Sequence, residues 1–494
     1  MKSVTIIGGG VGGLFTGAIL AKEGWKVTIL EKNATVGGGL QSFRRFSEVF
    51  DTGMHVVGGM NPGGNIYRLC QYLGIDSKVN IHQVDSSCMD RIWFDEDGAC
   101  YEIASGRDGF VSSLASCFPS QKEALVRYVQ ALERLSGEVD LFNLRPSNTL
   151  FPKHSDEFFM PASAFISKYI SDRRLRAVVA YLNPFYGGRP DYTPAYVHVI
   201  ISWLYIMGAS RFAGGSGSFA DLLAGVVTSS GGVVSKGDAV SQIIMDGKEI
   251  TGVVTESGKR YNSDYYISAI HPCTLLGLLP PTAFTKAYRD RLNGLPNSYS
   301  AFLLFLKLKE DTFPYINTSE YFMTRYDDVW NFSREDKPWP LGFLFMTPPE
   351  VNQGPYSTKA LVTAPMLYSA VSRWENTTTG RRGPQYEAFK QECASSLLAM
   401  IEKIHPGFRD VVEEMNTSSP LTIRDYYGVK EGSICGFSKD CNNILESQLP
   451  VVTKIPNLLL TGQNNNLHGF CGTALTAIST AEVLTGRNSI VTQL

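Results

Sequence analysis

No apolar run in this 494-residue chain reaches the roughly 18 to 20 residues that a membrane-spanning helix needs. The longest, VHVIISWLYIMGA at 197–209, predicts a buried helix, with a membrane-facing substrate channel as its alternative. Charge of either sign is also in short supply: 45 Lys and Arg against 47 Asp and Glu give a formal net charge of −2. That balance lacks the basic excess of a nucleic-acid binder, so no nucleic-acid partner is expected. The nine cysteines stand singly, without a C-x-x-C pair, and an odd number cannot close a disulfide framework. A reducing, cytoplasmic location follows. Zinc-type spacing and a G-x-S-x-G elbow are missing too, which sets hydrolytic and thiol chemistry aside and predicts no metal. The N-terminus, MKSVTIIGGG, meets its glycines too soon for a signal-peptide core.

What is present begins there. VTIIGGGVGGLFTGAILAKEGWKVTILEK reads as a buried strand, a glycine turn, a helix to about Lys22 and a second strand ending in an acid. Gly8, Gly10 and Gly13 fit G-x-G-x-x-G, with Val11 and Gly12 between them. The three tasks in that pattern are a tight turn, close backbone approach to a pyrophosphate, and close helix–sheet packing. Glu31 stands where an acid accepts hydrogen bonds from ribose hydroxyls, with Lys32 beside it. This is one dinucleotide-binding βαβ unit. A second fingerprint is absent, so any NAD(P)H serves as an external electron donor rather than in a domain of its own.

A second glycine cluster follows directly, in KNATVGGGLQSFRRFSEVFDTGMHVVGG. Acid, paired glycine and DTG with a nearby His resemble the FAD-binding half of the amine-oxidase-like flavoproteins. FDTGMHVVGG and LLLTGQNNNLHGFCGTALTAI are most similar to the branch of retinol saturases, carotenoid isomerases and phytoene desaturases. The resemblance implies extended FAD, with Gly38, Gly39 and Leu40 along its pyrophosphate and ribityl region and Asp51–Gly53 near the isoalloxazine. It also implies a backbone contact from Val240 to the adenine, and further FAD contacts at Gly462, Gln463, Gly472, Thr473 and Ala474. The small residues after Gly472 mark a helix whose N-terminus faces the pyrimidine edge of the ring, where its partial positive charge stabilises the reduced flavin. Gly472 is expected to leave room for that ring.

The remaining chain shows no internal repeat. PSQKEALVRYVQALERLSG predicts an amphipathic helix with Ser120 and Glu123 as a capping box. Helices are expected from about 105 to 206, and apolar strands at 300–309, 341–349 and 359–367. Phe389, Cys393, Leu397, Ile401 and Ile404 mark a covering helix. The fold class expected is α/β: a discontinuous Rossmann-like FAD-binding domain (1–75, 207–275 and 425–494) with an α+β substrate domain (76–206 and 276–424). The latter holds a mixed sheet and a helical, membrane-facing part.

The function implied is FAD-dependent hydride transfer at a carbon–carbon bond of a long apolar polyene, a retinoid or carotenoid, as saturase or isomerase. Desaturation, amine oxidation and non-catalytic prenyl or lipid binding on the same fold are the alternatives. Saturation also needs a proton. The resemblance implies that His55 and His468 lie closest to the flavin, which makes them the candidates; an unperturbed imidazole titrates at roughly 6.5. Peripheral membrane contact is expected around 160–209.

Overall fold

The computed structural model describes residues 1–53, 55–149 and 152–494. Its first sheet has five parallel strands in the order Val233–Ser235, Lys26–Leu30, Ser3–Ile7, Tyr265–Ser268, Leu458–Leu460. Strands buried on both faces suit Val4, Ile6, Val27 and Ile29, all fully buried. The helix Val11–Lys22 crosses from the first strand to the second. Against it packs the C-terminal helix Gly469–Thr485, where Ala474, Ala477, Ile478 and Ala481 are fully buried. Small residues let the two helices come close: a Cβ on Gly12 would lie 3.3 Å from the Thr473 Cγ2.

A seven-stranded mixed sheet forms the second layer, in the order Val412–Ser418, Ser300–Leu308, Lys359–Met366, Gly342–Met346, Ser319–Met323, Asp90–Phe94, Ala99–Ile103. Its neighbours run antiparallel except Ser319–Met323, which is parallel to Asp90–Phe94. The three expected apolar strands are here, and so are four that carry too many polar residues to stand out. Ser319–Met323 is the clearest of these: Glu320 is 1% exposed and its carboxylate is matched by Arg91 at 3.6 Å and by His405. The helix Pro384–Ile401 covers the sheet through Cys393, Leu397 and Ile401.

Two local expectations are corrected. The helix at Lys122–Ser136 forms, but its capping box does not: the 3-10 turn Pro119–Gln121 precedes it and Gln121 occupies the cap without a side-chain bond. The C-terminal helix starts at Gly469, before Gly472. The apolar run at 197–209 is the helix Ala195–Ile206, and among the described residues no helix is long and apolar enough to cross a membrane.

Candidate active site

A cavity of about 370 Å³ lies between the two sheets. Its first wall is backbone, from Gly10, Val11, Gly12, Gly38 and Gly39 and from the C-terminal segment through Gly462, Gln463, Gly472 and Thr473. The opposite floor belongs to the mixed sheet. Leu303, Thr363, Leu344 and Tyr321 are laterally paired across four adjacent strands, so their side chains form one row on one face. Ile200, Ile201 and Leu204 of the helix Ala195–Ile206 close a side. Among the described residues no Asp, Glu, Lys or Arg reaches the wall.

The first wall has the shape of a cradle. Side chains at Gly39, Gly462 or Gly469 would meet nothing within 4 Å, and Gly462 holds a φ of +111°, a conformation glycine adopts without strain. Gly8 and Gly13 act behind this surface: a Cβ on Gly13 would sit 2.0 Å from the Gly8 carbonyl oxygen, so helix and strand touch only without one. Beyond the cavity wall, Glu31 is 6% exposed and accepts from the amides of Gly9 and Asn33, each at 2.8 Å. Lys32 donates to the Asp425 carbonyl at 2.6 Å, and burial lowers its pKa against the pull of Glu31 and Asp425. The segment leading to Val240 lies alongside, its Asp238 amide donating to the Glu31 carbonyl at 3.3 Å. Leu40 and Ala474 are fully buried in the core and stand outside the cavity lining.

Gly472 has a different task from the one expected. A Cβ there would sit 2.4 Å from the Leu467 Cβ and 2.7 Å from its carbonyl carbon. The residue makes room for its own preceding loop, and the ring-side opening falls at Gly469 instead. Helix N-terminal amides from 469 onward, with no side chain capping them, present unpaired donors and a partial positive charge to the cavity.

His55 and His468 both line the cavity, and their ring nitrogens have no hydrogen-bond partner of normal geometry in the protein. Burial, assisted by Arg211, pushes His55 down to about 3. Burial, assisted by Lys439 and weakly opposed by the Tyr186 backbone, pushes His468 down to about 3. At neutral pH both rings are uncharged, so neither holds the extra proton that an imidazolium donor delivers. Orphaned nitrogens in a closed wall are suited to hydrogen-bonding a bound ring.

Sequence reasoning passed over three tyrosines of this wall. Tyr427 donates to Thr52 Oγ1 at 3.0 Å and crowds Gly53, whose Cβ would lie 2.5 Å from its hydroxyl. Tyr205 donates to the Val56 carbonyl at 2.9 Å. Tyr321 stands on the floor without a hydrogen bond.

Over residues 11–320 the chain matches the family of flavin containing amine oxidoreductases. It belongs to that family. This flavin-containing oxidoreductase is 25% identical over 529 residues to the all-trans-retinol 13,14-reductase of Homo sapiens, covering 98% of this chain and 86% of that protein. It is 23% identical over 458 residues to prolycopene isomerase 2 of an Oncidium hybrid cultivar, covering 87% of this chain and 74% of that one. A solved oxidoreductase from Methanosarcina mazei has the same fold, with a TM-score of 0.65 at 17% identity over 98% of this chain and 100% of that one. The protein is an FAD-dependent oxidoreductase. The glycine cradle, the paired Glu31 carboxylate and the two orphaned histidines fit that cofactor on chemical grounds: each offers room or an unmet hydrogen bond where a dinucleotide and its ring need one.

Proposed function

We propose that this enzyme acts on a carbon–carbon double bond of a long apolar polyene, retinoid or carotenoid in kind, as a saturase ahead of an isomerase. One observation carries the reading: the cavity floor of Ala301, Leu303 and Leu344 is apolar, and no charged side chain among the described residues faces it. Burying a protonated amine without a countercharge is costly, whereas an uncharged chain enters such a space with the gain of removing apolar surface from water. Similarity to a retinol reductase along nearly the whole chain supports saturation; similarity to a prolycopene isomerase keeps isomerisation as the second reading.

FAD, when bound, supplies hydride transfer. The chain's part is to hold it and exclude water. Gly10, Gly12, Gly38 and Gly39 give backbone approach to the pyrophosphate, Glu31 takes the ribose hydroxyls, and the Val240 backbone meets the adenine. Gln463 and Thr473, with the Gly469 end of the last helix, face the ring, and His55 and His468 hydrogen-bond near it. Electrons arrive from an external donor, NAD(P)H or another partner, in the cytoplasm. The helices around 160–209 touch the membrane that dissolves the substrate; Met207, 47% exposed, is an apolar contact there.

An anaerobic assay of the reduced flavoprotein with all-trans-retinol, lycopene and an alkylamine, following flavin reoxidation and product mass, tests the reading. A two-hydrogen mass gain establishes saturation and unchanged mass isomerisation. Oxidation of the amine by the oxidised enzyme, with no polyene reaction, refutes the proposal. Failure to bind liposomes removes the membrane contact.

A further inference from the structure

Beside the cavity floor lies a buried polar cluster for which binding FAD has no use. Arg211 is fully buried. Its Nη1 donates to the carbonyls of Ile316 and Thr347 at 3.2 and 3.3 Å, its Nη2 donates to Ser319 Oγ at 3.0 Å, and its Nε has no partner. A guanidinium that meets only neutral oxygens keeps its field largely uncancelled. Ser319 lies opposite Asp90 in the parallel register. Asp90 is 3% exposed and accepts from the Tyr181 hydroxyl at 2.5 Å; burial raises it to about 6.

Tyr321 follows Ser319 by two residues on the same strand, so both side chains leave the same face, about 7 Å apart along the chain. Its ring packs edge-on against Tyr181, centroids 4.9 Å apart, and against Phe185 at 5.3 Å. These rings fix its orientation. The phenol lines the cavity and has no hydrogen-bond partner among the described residues; burial first, then Asp90 and Tyr205, raise its pKa well above the usual tyrosine value, and Arg211 opposes them. Of the three, Arg211 alone favours the phenolate, and it does so from a region of low dielectric where charge acts strongly.

We propose that Tyr321 is the catalytic proton donor of the site, and that Arg211, anchored through Ser319, is the positioning residue whose charge holds the phenolate left behind. The inference rests on the polyene reading above. The double bond takes a hydride from the reduced flavin at one carbon and the Tyr321 proton at the other. The C=C π bond, the Tyr321 O–H bond and the N–H bond that carries the hydride in the reduced cofactor would break, two C–H bonds would form, and the products would be oxidised flavin, the saturated bond and a phenolate. A solvent proton restores the phenol, and an external two-electron donor restores the reduced flavin. The aromatic shell around Tyr321 makes it a donor that a buried apolar chain can reach.

Tyr321→Phe preserves the rings and removes one oxygen. Reduced holoenzyme, wild type and variant, is mixed anaerobically with all-trans-retinol in H2O and in D2O. The variant should keep full FAD content and an unchanged flavin absorbance shift on binding retinol. Its reoxidation should slow about a hundredfold or more, and the wild type should place one solvent deuterium in the product. In ring-13C-tyrosine NMR of the oxidised holoenzyme, one titrating resonance should vanish in Tyr321→Phe and move to higher pH in Arg211→Gln, with Arg211→Lys restoring it. Wild-type speed in Tyr321→Phe overturns the assignment while leaving the polyene reading intact. A wild type that reacts with neither retinol nor lycopene overturns both. A Tyr321 resonance indifferent to Arg211→Gln removes Arg211 from the proposal.

Discussion

The Gly9 amide donates to Glu31 Oε2 over 2.8 Å, and the Asn33 amide donates to Oε1 over the same distance. The carboxylate therefore reaches the ribose position already oriented by the two segments that flank it. Glu31→Gln puts an NH2 group opposite one of these donors. Charge-assisted hydrogen bonds are about twice as strong as neutral ones, so FAD affinity should fall about tenfold or more. Fluorescence titration of the flavin-free protein measures this; an unchanged affinity would mean that Glu31 only shapes the turn.

Gly472 separates two accounts of the same substitution. If the ring needed the space, Gly472→Ala would harm FAD binding and leave the flavin-free protein stable. The Leu467 backbone carbonyl carbon and oxygen lie 2.7 and 2.8 Å from the Cβ position, so the flavin-free protein itself should lose stability, by about 1 to 3 kcal/mol. Adding Leu467→Gly should rescue only part of it, because it removes the Leu467 Cβ at 2.4 Å while the carbonyl carbon and oxygen are main chain. Thermal unfolding of both variants without FAD decides between the accounts.

The FAD half of the fold was readable because its chemistry is done by backbone. Glycine, an acid and short apolar strands stand at spacings that few other structures use, and the strands Ser3–Ile7 and Lys26–Leu30 fall where pattern alone puts them. The cavity floor was much less readable. Ser319–Met323 contains Glu320, whose buried carboxylate is satisfied by Arg91 and by His405 from distant parts of the chain. A strand with a charge at its centre reads as surface until those partners are known, and so Tyr321 went unnoticed. Gly472 shows the converse: the sequence tells that bulk is absent, and only three dimensions tell that Leu467 is a neighbour that requires it.

His55 and His468 make stability depend on acid. Burial holds both near 3 against the ordinary 6.5, so between these values the unfolded chain binds protons that the folded chain refuses. A depressed folded value means full stability above about 6.5, lost as the pH falls toward 3; each ring removes about 1.4 kcal/mol per pH unit inside that window. His55→Gln and His468→Gln should each flatten the dependence of the urea midpoint on pH between 6 and 4. Parallel curves for wild type and variants would show that the rings take up protons in the folded state.

Lys439 presents the same physics at higher pH, a cation that burial disfavours. It is 3% exposed, and its Nζ donates to the Ser447 carbonyl at 3.2 Å. Burial pushes the ammonium down to about 7, with the Cys435 thiol pulling weakly the other way. Its folded value lies below the usual 10.5, so the residue costs nothing above that pH and costs progressively more as the pH falls to 7. Methionine has a similar unbranched shape and no charge to bury. Lys439→Met should therefore raise stability at pH 7, with the advantage over wild type shrinking by about 1.4 kcal/mol for each pH unit between 7.5 and 9.5. Comparing the two proteins at each pH cancels the titration of the cysteines and tyrosines they share. A variant no more stable than wild type at pH 7 would mean that the amine has a countercharge in solution, and an advantage independent of pH would mean that packing, not desolvation, separates the two side chains.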